Sequence, residues 1–224
     1  MVKHVRVMVE RGKKKRIVAS AFDWPGWDRS TTLGGDVLAV LDTYRHRFAK
    51  VAELAGYGRE FSRLGALEVV EQVEGIGMTD YYGVSGRTAT AERGSMTEAD
   101  LGRKLALLRA SWSTFDDTAA RVSAELRKGP RGGGRERDRI IQHVNGAEIH
   151  EFAPKVGVKV SLETRDDPEA LSAYRDDFAD AIRGHHVRGE PARSWAVQFL
   201  IRRCAWQMLD HAWELEDRDL SDAR

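Results

Sequence analysis

Three polar side chains in the second half of the chain have types and spacing that could do chemistry. Gln207 and His211 stand four residues apart in RRCAWQMLDHAWELEDR, residues 202 to 218, which puts them one turn apart on one face of a helix. His143 stands in an earlier segment, IIQHVNGAEIHEF, where Ile140, Val144 and Ala147 form an apolar stripe. Two imidazoles from different helices pointing into one bundle can hold a divalent metal, and neutral imidazole suits zinc, nickel or iron. The same residues also read as ordinary core polarity, a histidine bonded to an amide or a carbonyl, because polar groups on a buried stripe must be paired. Cys204 on the Gln207 stripe and His150 beyond His143 are further pocket or ligand candidates, although a lone buried cysteine is usually packing. Glu148 and Asp210 fall off the inferred metal face, so neither is assigned as a general base.

The segment carrying Gln207 and His211 reads as a helix from about 191–194 to 218 with two faces. One stripe collects Val197, Leu200, Ile201, Cys204, Gln207, Met208, His211, Ala212 and Leu215; the opposite one collects Trp195, Phe199, Arg202, Trp206, Asp210 and Trp213. A helix apolar on two sides is normally covered on two sides. The first stripe is expected to face a helical bundle. The tryptophans are expected to pack as an interface against the N-terminal β element or against a second copy of the chain, which leaves room for a homodimer.

Other elements follow from periodicity. Residues 5–22 alternate around the charged turn RGKKKR and predict a β-hairpin, with KKKR read as a solvated tip. DWPGWDRS leaves the second strand through a Pro-Gly turn. Val37 to Ala55 keep helical spacing up to Gly56, and 67–90 carry Val, Tyr and Gly with no helical period, so one or two strands or a structured excursion are expected there. Leu101, Leu105, Leu108, Trp112, Phe115, Ala119, Val122 and Leu126 predict a long helix, with Ser95 and Glu98 at capping-box spacing. GPRGGGRERDR, residues 129–139, reads as an inter-helix loop, since no strand and no phosphate-loop motif accompany its glycines. A third helix is expected over 138–152 and an acidic one from Pro168, with His185 and His186 in a surface loop after it.

The totals narrow the class. With 36 basic and 35 acidic residues the net charge is +1, which gives no support for a nucleic-acid footprint. One cysteine in 224 residues excludes an intrachain disulfide framework and fits a reducing compartment. The first residues show no apolar core of signal-peptide length, and no apolar run approaches the roughly 20 residues needed to span a bilayer. The expectation is a cytoplasmic protein with no membrane partner.

HVNGAEIHEFAPKVG followed by RRCAWQMLDHAWELEDR resembles the DinB/YfiT-like four-helix-bundle proteins, over about residues 36–218 with an insertion at 60–95. The resemblance implies a mainly α, α+β fold: an N-terminal β-hairpin element over 1–35 and a bundle over 36–224. It also implies a divalent metal, zinc or nickel, on His143, His211 and the position of Gln207, where the family's paired histidines have their first member. An amide oxygen is a poorer zinc ligand than imidazole. The implied activity is that of a metal-dependent transferase, isomerase or hydrolase acting on a small molecule, with a low-molecular-weight thiol as co-substrate in some relatives. A non-catalytic bundle with a degenerate site that binds a ligand or partner is the alternative. IVASAFDWPGWDRSTTLGGDVLAVL is similar to HicB-like segments, in which a strand, a Pro-Gly turn and a helix after Gly-Asp follow in order, and such modules occur as antitoxins that cover a small toxin.

Overall fold

The computed structural model describes residues 3–129 and 134–221. The fold is α+β, a four-stranded sheet with eight α-helices among the described residues. Strands β1 (Val5–Arg11) and β2 (Arg16–Ser20) form the expected antiparallel hairpin. A third strand, β3 (Asp28–Thr32), continues antiparallel on β2. It escapes sequence reading because DRSTT has no apolar alternation; its inward polar residues, Asp28 among them, are buried in an ion-pair network.

After β3 come α1 (Val37–Thr43), α2 (Arg45–Leu54) and α3 (Gly58–Phe61). Asp36 caps α1 by accepting from the Leu38 and Ala39 amides at 3.1 and 3.0 Å. The single helix expected over 37–55 breaks at Tyr44, which caps the end of α1 and the start of α2. These helices form the crossover that a parallel strand requires, and β4 (Leu67–Glu74) then pairs parallel with β1, giving the order β3-β2-β1-β4. Residues 60–95, read as an insertion, include this fourth strand of the sheet. Next come α4 (Gly77–Tyr82), which stops at left-handed Gly83 (φ 68°), and a 3₁₀ turn, Thr90–Arg93.

The long helix α5 (Glu98–Arg121) starts one turn earlier than its stripe. Its capping box is Thr97 with Asp100, not Ser95 with Glu98: each backbone amide is bonded to the other's side chain, at 3.2 and 3.1 Å. All eight stripe residues from Leu101 to Leu126 are buried, but the helix ends at Arg121, so Val122 and Leu126 lie beyond it. Of the loop read at 129–139, residues 130–133 lie outside the described residues. Helix α6 (Arg137–Ala147) passes into a π-helical turn, Glu148–Phe152, and a 3₁₀ turn, Ala153–Val156.

Helix α7 (Pro168–Val187) begins as expected, with Pro168 in its first turn and Asp167 accepting from the Glu169 and Ala170 amides. It runs further than expected, so His185 and His186 are in its last turn and half-buried, not in a surface loop. Helix α8 is Val197–Arg218. Trp195 precedes it and packs on Phe199 and Phe152, with ring centres 4.7 and 6.3 Å apart. No helix among the described residues is long and apolar enough to cross a membrane.

The chain divides into two compact units. The first comprises residues up to Ser111 with Ile201–Trp206, and the second Trp112–Leu200 with Gln207 onward. The first unit is thus much larger than an element over 1–35. Its core contains Trp24, Trp27, Phe48 and Phe61, with Trp27 stacked on Phe48 at 5.6 Å and donating from Nε1 to the Leu41 carbonyl. The second unit holds α6, α7 and the later parts of α5 and α8; the helix read over 37–55 belongs to the first. Trp206 groups with the first unit, Trp195 and Trp213 with the second. Trp206 and Trp213 are buried within the single chain, so their area does not call for a second copy.

Candidate functional site

The second unit brings His143 of α6 together with Gln207 and His211 of α8. The His143 and His211 rings meet edge to face with centres 5.1 Å apart. Gln207 Nε2 lies 3.5 Å from His143 Nε2, a long contact between an amide and a ring nitrogen. Spacing on the helices explains this: Gln207 and His211 share a face of α8, and the buried Ile140 and Val144 anchor the α6 stripe beside His143.

The cluster is not a sealed core. Gln207 is buried, the His211 side chain is 13 % exposed, and His143 is exposed to solvent. Partial burial lowers the His143 pKa, with the neighbouring His211 adding to the effect; both favour the neutral ring, the form that ligates metals.

Glu214, three residues after His211, is the partner that sequence reading missed. Its Oε2 lies 2.8 Å from His211 Nδ1, and Arg218 Nη1 donates to its Oε1 at 2.8 Å. The hydrogen bond to His211 is the first cause holding the Glu214 carboxyl below its ordinary value, ahead of Arg218. A carboxylate on Nδ1 fixes the tautomer that leaves Nε2 with a lone pair, the arrangement that supports metal-bound histidines. The signal was legible, since Glu214 follows His211 at i+3 on a helix.

Do these residues fit a metal? Two imidazoles on one tetrahedral ion have ring centres roughly 5 Å apart, from a metal–nitrogen distance of about 2 Å, so the 5.1 Å spacing of His143 and His211 is compatible. The third position is an amide, and no group of three His, Cys, Asp or Glu side chains that could hold a metal occurs among the described residues. A metal held here would take two imidazole nitrogens and, only with the amide turned from the orientation that places Nε2 toward His143, the Gln207 oxygen, leaving the other positions to water or substrate. Cys204 does not join it: it is fully buried in the segment that groups with the first unit. His150 is exposed on the π-helical turn.

A second polar centre in this unit lies on that turn. Glu148 is buried, accepts from Trp112 Nε1 and, at 3.2 Å, from Arg175 Nε. Arg175 also donates to Asp116 at 2.6 Å and contacts Met208 Sδ, and Tyr174 donates to the Glu148 carbonyl. This centre ties α5, the end of α6, α7 and α8 within one unit.

The first unit has its own buried centre, on Arg202. The guanidinium donates to Glu92 at 2.7 and 3.0 Å, to Asp28 at 2.7 Å, to the Ser20 and Ser85 hydroxyls and to the Arg87 carbonyl. Burial works against its charge, but the carboxylates of Glu92 and Asp28 outweigh burial and raise its pKa. All its donors are engaged and it is sealed from solvent, so its role is to hold the fold. Comparisons with protein-family models, curated proteins and solved structures found no match.

Proposed function

We propose that the second unit is a divalent-cation site and that the protein is a metal-assisted enzyme acting on a small molecule, of the kind the DinB/YfiT-like resemblance implies. The observation that carries this reading is the meeting of His143, Gln207 and His211 from two helices, open to solvent on the His143 side and braced by Glu214. In this reading His143, His211 and the Gln207 amide oxygen hold the ion, and zinc or nickel suits the imidazoles. A bound cation lowers the pKa of a coordinated water or thiol, supplying a nucleophile near neutral pH. Glu214 orients His211, Arg218 holds Glu214, and the buried Glu148–Arg175 pair fixes the helices that carry the ligands. The resemblance counts the helix over 37–55 among its four; that helix belongs to the first unit, so in this reading α7 would take its place beside the later part of α5, α6 and the later part of α8. The HicB-like resemblance belongs to the same proposal for the first unit, where β2, the Pro25–Gly26 turn and α1 after Gly35–Asp36 follow in the implied order.

The test is metal content and affinity. Purified protein reconstituted with zinc or nickel is expected to take up one ion per chain, and His211→Ala to lose it. Glu214→Gln should weaken binding roughly 10- to 100-fold, as removal of a ligand's orienting partner does. Gln207→His should tighten zinc binding by supplying a third imidazole. No uptake by either the natural chain or Gln207→His would overturn the reading.

The 3.5 Å Gln207–His143 contact favours one other reading, a hydrogen-bonded pair in a non-catalytic unit that binds a ligand or partner. It predicts a melting temperature indifferent to chelator, whereas a metal that binds only the folded chain raises it.

A further inference from the structure

The lysine run at the β1–β2 turn, read from sequence as a solvated tip, lines a cavity of about 540 Å³ in the first unit. It is lined by Lys13, Lys14 and Lys15, the end of β4, α4 with Asp80 and Tyr81, and Arg87. The turn is built around Asp80. That carboxylate accepts from the backbone amides of Lys13, Lys14 and Lys15 at 2.9, 3.1 and 2.9 Å. A Cβ at Gly12 would collide with it.

The arrangement separates two kinds of donor. The turn's backbone amides are consumed by Asp80, and those bonds hold its pKa down to about 2. The three lysine ammonium groups make no ion pair among the described residues. Arg87 uses Nε on the Glu74 carbonyl at 3.0 Å and makes no ion pair among the described residues either. Lys15 Nζ lies 5.3 Å from the centre of the Tyr81 ring, yet Tyr81 remains 69 % exposed. Four cations thus surround a cavity that also offers the face of an aromatic ring, against two carboxylates, one of them already bound by the main chain.

From this we propose that the cavity binds a nucleotide, with its phosphates on Lys13, Lys14, Lys15 and Arg87 and its base stacked on Tyr81. Lysine is a good point-charge partner for phosphate, exposed aromatic rings stack bases without regard to their identity, and the volume falls within the range of small-ligand sites. An acidic peptide would use the charges and leave the ring idle. The near-neutral total charge does not oppose this, because it averages over a chain whose other basic residues are largely balanced. The site uses none of the residues assigned to the cation and stands or falls independently of it. The same chemistry is offered by a free nucleotide and by a nucleotide within a single strand.

The test is calorimetric titration of the full chain with a nucleoside 5′-diphosphate, inorganic pyrophosphate, a short single-stranded oligothymidylate and an oligoglutamate peptide. The nucleotide is expected to bind at least tenfold more tightly than pyrophosphate, with affinity falling as salt rises. Lys13→Glu with Lys14→Glu should weaken both ligands at least tenfold. Tyr81→Ala should remove the nucleotide's advantage and leave pyrophosphate binding unchanged. These positions are exposed, and an unchanged circular dichroism spectrum shows that the variants fold. Oligothymidylate binding at least tenfold more tightly than the diphosphate identifies a strand as the source, and comparable affinities identify the free nucleotide. The proposal is overturned if no phosphate ligand binds at millimolar concentration, if the variants bind as the natural chain does, or if oligoglutamate binds as well as the nucleotide.

Discussion

Arg202 and Arg175 each carry a buried guanidinium between two carboxylates, and the two centres differ in what the second carboxylate can reach. Around Arg202 everything is sealed: its side chain is 0 % exposed and those of Asp28 and Glu92 1 % each. Around Arg175 the Glu148 side chain is 0 % exposed, but that of Asp116 is 49 %. Each centre holds one carboxylate more than its guanidinium can neutralise. In the second unit the surplus charge sits on Asp116, in water. In the first there is no opening to solvent: the buried Lys104 is drawn to Glu92, and burial pushes the Asp28 pKa up against the pull of Arg202. A surplus buried charge is thus accommodated either by an opening to solvent or by a bias toward the neutral acid.

The strongest way to break the sealed centre is to remove its only guanidinium. Arg202→Met strands Glu92 and Asp28 against each other and is expected to cost about 3–5 kcal/mol, the range for breaking a buried pair from one side. Urea denaturation measures it. Asp28→Asn in the same background should recover part of the loss, because it removes one of the stranded acids. A loss below about 1 kcal/mol would show that water enters this centre.

Lys104 sharpens the same region. It is buried, donates to the Phe22 carbonyl at 3.2 Å, and is pushed down to about 8 by burial, with Glu92 and Asp23 offsetting part of that. Its folded-state pKa lies below the ordinary 10.5, so the unfolded chain binds more protons between those two values and stability rises with pH there. The cost of burying the charge is present in full below pH 8 and relieved by about pH 10.5, a gain of up to about 3 kcal/mol. Lys104→Met is expected to flatten this rise in denaturation midpoints measured across pH 7.5–10.5. An equally steep rise in the variant would assign it to other groups.

Local periodicity made the helical half of the molecule legible. The Leu101–Leu126 stripe and the double-sided burial of α8 both follow from spacing, as does the meeting of His143, Gln207 and His211, because it needs only the right face of each helix. The sheet was less legible. Its third strand carries Asp28 and Arg29 where apolar residues would announce it, and its fourth pairs with β1 across an intervening set of helices. Arg202 stood among tryptophans on the second face of α8, and a charge there was a signal of buried partners. Nothing local says that those partners are Asp28 and Glu92. The KKKR turn shows the same limit: its lysines are a solvated tip until Asp80 and Tyr81 are placed beside them.

The smallest expected effect tests the open centre. Asp116 lies 2.6 Å from Arg175 Nη1, close enough for a strong charge-assisted bond. Its exposure means that water competes for the carboxylate and salt screens it, which limits such pairs to about 0–1 kcal/mol. Asp116→Asn keeps the shape and an acceptor oxygen, so it should shift the urea midpoint by an amount in that range and lose most of its effect in high salt. Arg175 would still be matched by Glu148, which lies on its buried side. If Asp116→Asn instead cost as much as Arg202→Met, the exposed carboxylate would be holding its charge against the interior, and the contrast between a sealed and an opened centre would fail. A small, salt-sensitive shift would mean that the buried Glu148–Arg175 pair alone holds its helices together, with Asp116 serving as the solvent outlet for the surplus charge.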